Sequence, residues 1–93
     1  MTKSLKDGRF NMFTDIVIGQ GNYAQICLGK NMKNQDLLAI KSINKNQIKD
    51  QNMKTNILQQ IETLSLSTQY ENPFILKYID CFETKRNLYI ITE

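Results

Sequence analysis

The sequence predicts an α+β domain: a five-stranded antiparallel sheet with one main helix between strands 3 and 4. Three observations predict it. Three runs rich in β-branched residues follow one another before residue 44, joined by short polar or glycine-containing connections. From about Asp50 to Leu66 the apolar period lengthens to that of a helix. Beyond Pro73, the single proline, two more strand-like runs complete the chain.

Residues 13–18 (Phe-Thr-Asp-Ile-Val-Ile) form the first predicted strand, ended by Gly19. Residues 23–28 form the second, ended by Gly29, and Lys30 to Asp36 is a polar turn. Residues 37–43 form the third. Connections this short suit an antiparallel meander. In the helix, Met53, Ile57, Leu58, Ile61 and Leu64 share one apolar face, and Asp50 is placed to cap its first turn. Residues 67–72 read as a loop, 75–82 as the fourth strand, 83–87 as a charged turn, and 88–92 as the fifth strand. Residues 1–12 are set apart as an N-terminal extension, leaving 13–93 as one domain.

Composition narrows the function. Hydrophobic residues make up 41% of the 93, which suits a folded core. Twelve basic against nine acidic residues leave a net charge of +3, too small and scattered for a nucleic-acid footprint. There is no histidine, and the two cysteines, Cys27 and Cys81, lie in apolar runs, so neither a zinc site nor a disulfide framework is expected. No apolar run approaches the length of a signal peptide or a membrane span. A cytoplasmic protein without a membrane or nucleic-acid partner is the expectation.

The segment Gly19-Gln20-Gly21 raises three phosphate-binding chemistries, because glycines let backbone amides approach phosphate oxygens closely. A dinucleotide-binding turn needs a helix after it and an acid about twenty residues on. Here a strand-like run follows, and Lys41 stands at that distance. A P-loop needs a glycine, four residues, then Gly-Lys-Ser/Thr. Gly29-Lys30 is present, but Ala24 occupies the first glycine position and Asn31 the hydroxyl position. The third chemistry uses a glycine turn between two antiparallel strands, folded over a nucleotide. Ile18-Gly19-Gln20-Gly21-Asn22-Tyr23-Ala24-Gln25-Ile26 fits it, with Ala24 in place of a third glycine.

Further on, Leu38-Ala39-Ile40-Lys41 puts a small residue and a cation on one face of a strand. Asn72-Pro73-Phe74-Ile75-Leu76-Lys77 and Leu88-Tyr89-Ile90-Ile91-Thr92-Glu93 supply the last two strands. Together these segments, covering about residues 13–93, resemble the small lobe of the protein kinase family, of the serine/threonine type. The resemblance implies that Ile18, Ile26 and Ala39 contact adenine, that residues 19–24 cover the phosphates, and that Lys41 holds the α- and β-phosphates. Thr92 takes the gatekeeper position and Glu93 the first hinge position. The family pairs its strand lysine with a helix glutamate. Here Glu62 restores the charge while Gln60 fits the apolar pattern, and both stay open.

The resemblance also implies ATP and Mg²⁺ as cofactors, and a protein substrate for a full-length form. The chain contains neither an H-R-D-type loop nor Asp-Phe-Gly. No catalytic residue and no metal ligand is therefore assigned in it, and it is expected to be a truncated, inactive piece of a kinase domain. Its alternative role is a non-catalytic binding or regulatory module.

Overall fold

The computed structural model describes residues 1–21, 24–48, 50–69 and 78–93. Its strands are β1 (Thr2–Leu5), β2 (Phe10–Gln20), β3 (Ala24–Asn31), β4 (Leu37–Asn44), β5 (Tyr78–Glu83) and β6 (Asn87–Thr92), with helix α1 (Gln51–Gln69) between β4 and β5. They form one antiparallel sheet in the order β1-β2-β3-β4-β6-β5. The sheet thus has six strands, not five. The additional one, β1, lies among the residues read as an extension, where Leu5 and Phe10 close a hairpin. Its turn needs left-handed backbone at Lys6, Asp7 and Gly8, with φ of 50°, 56° and 85°. Asp-Gly is a strong hairpin signal, and it was present at Asp7-Gly8.

The sheet curls around one face. Leu5, Phe10, Met12, Cys27, Leu38, Ile40, Tyr89 and Ile91 form a buried cluster there, with Ile79 and Phe82 packed against it. The curl carries side chains from the two edges together. Phe10 and Phe82 stack with ring centroids 6.1 Å apart, and Lys3 Nζ donates to the Tyr89 hydroxyl at 3.1 Å. The opposite face carries a smaller cluster, in which Ile43, Ile57 and Ile90 pack with Ala24, Ile48, Ile61, Cys81 and Leu88. This cluster docks α1.

The helix begins where the cap was expected, with Asp50 Oδ1 accepting from the Met53 amide at 2.8 Å. It extends to Gln69, through the first residues of the predicted loop. Ile57 and Ile61, four apart, pack on the sheet and Met53, one turn before, is half-buried, whereas Leu58 is exposed. A single row of apolar residues suffices because the helix touches only one end of the sheet. The side chain of Leu64, the rest of the loop beyond Gln69, and the segment 72–77 lie outside the described residues.

β3 does not end at Gly29. It runs on to Asn31 because Gly29 faces the main core. A Cβ on Gly29 would lie 2.3 Å from Ile40 Cδ1, 2.8 Å from its Cγ1 and 3.1 Å from the Asn11 carbonyl oxygen. The glycine is a packing requirement between β2 and β4.

Candidate functional site

Strand register decides which predicted site residues meet. β3 and β6 flank β4, pairing Lys41 with Ile26 and Ile90, and Ala39 with Leu28 and Thr92. Alternation along β4 puts Ala39, Lys41 and Ile43 on one face, the face that receives α1 at the Ile43 end. Leu38 and Ile40 point the other way into the main core. Lys41 is therefore held on a strand locked from both sides. Its side chain is half-buried and forms no ion pair with a described carboxylate.

The glycine turn joins β2 to β3, and its base is closed by the Gly21 amide donating to the Ala24 carbonyl at 2.8 Å. Neither Gly19 nor Gly21 has a positive φ. A Cβ on Gly19 would come within 3.3 Å of Ile26 Cδ1, a tight approach that the isoleucine would have to yield to. Ile18 is 55% exposed beside it. Asn22 and Tyr23, at the tip, lie outside the described residues. Gln20, Gly21, Ala24 and Gln25 line a cleft of about 330 Å³ with Ser42, Asn44, Gln47 and Asn87. Ala39 and Lys41 do not line this particular cleft.

Thr92 is buried at the end of β6, paired with Ala39 on one side and Tyr78 on the other. Glu93 is exposed and lines a cleft of about 570 Å³ with Asn31, Asn34, Asp36, Leu37, Leu38 and Ile79. Gln60 and Glu62 both lie on exposed parts of α1. At 100° per residue, Gln60 is angularly nearer to the row of Ile57 and Ile61 than Glu62 is.

Four titrating groups are shifted nearby, among them Tyr78, raised by burial and then by Cys81 and Asp80. Burial raises the Cys27 thiol; burial, then the Asp80 and Glu83 carboxylates, raise Cys81. Both cysteines are free. Glu83 is lowered, first by its hydrogen bond to Lys45 and then by that lysine's charge. Cys27 lies on the other face of the sheet, whereas Cys81 packs with Ile43 and Ile90 on the face that carries Ala39 and Lys41. Among the described residues, no group of three or more carboxylate, cysteine or histidine side chains could hold a metal ion. Among them, too, no helix is long and apolar enough to cross a membrane.

Sequence comparison gives this geometry its context. The family model described as the protein kinase domain matches residues 14–93. The calcium/calmodulin-dependent protein kinase type I of Schizosaccharomyces pombe is 36% identical over 78 residues, covering 83% of this chain and 22% of that protein. CBL-interacting protein kinase 10 of Oryza sativa is 32% identical over 78 residues, covering 83% of the chain and 16% of the relative. The serine/threonine-protein kinase SIK3 homolog of Danio rerio is 32% identical over 76 residues, or 82% of the chain and 6% of the relative. The chain thus spans less than a quarter of the length of these relatives. A match over nearly all of β2 to β6, on a curled antiparallel sheet with one helix, decides the family: the chain belongs to the protein kinase domain family.

Proposed function

We propose that this chain is the ATP-cradling lobe of a protein kinase whose whole form transfers the γ-phosphoryl group of ATP to serine or threonine hydroxyls of proteins. The observation that supports it most is the face of β4. Ala39 is small enough to leave room for a flat base beside Thr92, and Lys41, two residues on, offers a cation with no described carboxylate to neutralise it.

In this reading Ile18, Ile26 and Ala39 bound the adenine, and residues 19–24 lie over the phosphates, with backbone amides as donors. The Gly19–Ile26 strand pairing keeps the turn close to β3. Lys41 holds the α- and β-phosphates by charge-assisted hydrogen bonds. Glu62 or Gln60 is the helix partner that would orient it, and Glu93 supplies the hinge backbone. Bound Mg²⁺ would neutralise phosphate charge, and in this reading its ligands come from the catalytic-loop and Asp-Phe-Gly segments of the family. Serine/threonine specificity follows relatives such as the serine/threonine-protein kinase SIK3 homolog.

Calorimetric titration with Mg·ATP tests the reading. The chain should bind weakly, because it supplies one wall of the adenine cleft, and Lys41→Met should weaken binding by about tenfold or more. Equal affinity in the two proteins would contradict the role given to Lys41.

A further inference from the structure

Strand β2 is held in two different registers. At its start, Phe10, Asn11 and Met12 face Asn31, Lys30 and Gly29. Near the turn, Gly19 and Gln20 face Ile26 and Gln25. Between them, the five-residue advance from Met12 to Val17 is matched by only two residues on β3, and the step from Val17 to Gly19 by one. β2 therefore carries four surplus residues. Asp15, Ile16, Val17 and Ile18 in this stretch are all exposed. A surplus of four is even, so absorbing it would leave Phe10, Asn11 and Met12 on their present faces, with only the stretch around Val17 turning over. Alternation alone cannot prevent that slip, and something must hold the first register.

The hairpin does so through a side-chain seam. Asp80 on β5 accepts from Lys6 through Oδ2, with Arg9 Nη1 3.9 Å from the same oxygen. Its Oδ1 accepts from the Cys81 amide at 2.8 Å, so the carboxylate is fixed to its own strand. Lys6 Nζ also lies 5.6 Å from the centre of the Phe82 ring, and Phe82 stacks on Phe10. The Asp80 side chain is only 17% exposed. One carboxylate is thus approached by cations from both ends of the 6–9 turn. Residues 1–13 lie outside the family match.

We infer that the N-terminal hairpin is a register clamp: Asp80 latches the start of β2 so that the surplus stays at 13–18 and the glycine turn stays seated over β3. Releasing the latch frees the strand to redistribute its surplus, and the motion reaches the glycine turn because β2 is one strand from Phe10 to Gln20. The consequence for nucleotide rests on the proposed function above, whereas the coupling between latch and turn does not.

Hydrogen exchange of backbone amides in the full chain tests the clamp, comparing it with Asp80→Asn and with the double variant Lys6→Gln/Arg9→Gln. Asparagine keeps an acceptor for the Cys81 amide while removing the charge. In both variants, amides of Val17–Gln20 and Gln25–Cys27 should exchange on the order of tenfold faster, with the β4–β6 rungs nearly unchanged. Acceleration confined to residues 1–12, a uniform acceleration of every strand, or no change would each overturn the clamp. Parallel Mg·ATP titrations should show weaker binding by both variants. If the unmodified chain binds no nucleotide, the proposed function fails while the exchange pattern still decides the clamp.

Discussion

Gly29→Ala should destabilise the protein by about 2–3 kcal/mol, read as a lowered urea midpoint with an unchanged slope. Alanine in place of a strand glycine ordinarily helps, by about 0.4–1 kcal/mol, because it restricts the unfolded chain. Here the added methyl would sit 2.3 Å from Ile40 Cδ1 and 2.8 Å from its Cγ1. Ile40 is fully buried and has nowhere to turn, and the Asn11 carbonyl at 3.1 Å closes the other side. The overlap therefore outweighs the entropy gain. A double-mutant cycle isolates the cause. In an Ile40→Ala background the new methyl enters vacated space, so Gly29→Ala should be about neutral or stabilising there. Equal costs in both backgrounds would show that the glycine is needed for some other reason.

Phe10→Ala should cost more, about 3–5 kcal/mol. Phe10 has no exposed surface, stacks on Phe82 across the seam and packs in the cluster that holds Ile40, Tyr89 and Ile91. For a chain of 93 residues the whole stability is about 5–14 kcal/mol, so this single truncation removes a large fraction. Phe13→Ala is the informative control, since Phe13 is only half-buried at the start of the surplus stretch. If the core begins at Phe10, Phe10→Ala should lower the urea midpoint well below that of Phe13→Ala. The reverse order would mean that the packed domain starts at Phe13 and that the hairpin is a loose addition.

These two residues mark what the sequence did and did not make legible. The three-strand meander, the helix and its Asp50 cap, and the final hairpin were readable because each rests on a local signal: alternation, helical period, a capping carboxylate and turn residues. The order of chemistry along β4 was equally local. Once residues 37–44 form a strand flanked on both sides, Ala39 and Lys41 share a face. Gly29 was misread as a strand end because a glycine in a sequence says that a Cβ is absent, and not what stands in its place. Only the β3–β4 register shows that Ile40 fills the space. The sixth strand was missed for a different reason. β1 spans four residues and buries one side chain, Leu5, so alternation is barely expressed, and the Asp7-Gly8 turn was the better guide.

The glycine turn shows a third kind of gap. Its residues were legible as a group, but the cleft they line includes Ser42 and Asn87 in place of Ala39 and Lys41. The surplus of four residues in β2 leaves no trace in hydrophobic alternation. Likewise Asp80 carried no sequence signal, because its partners Lys6 and Arg9 lie more than seventy residues away in the chain and meet it only through the curl of the sheet.

Mapping the nucleotide by amide chemical shifts tests the central claim most directly, because the two faces of β4 carry different residues. On adding Mg·ATP to the labelled chain, the account predicts shifts concentrated at Gly19, Gln20, Gly21, Ile26, Ala39, Lys41 and Thr92. Shifts confined to Ser42, Asn44, Gln47 and Asn87, with Ala39 and Lys41 unmoved, would place the ligand in the cleft on the far side of the turn and contradict it.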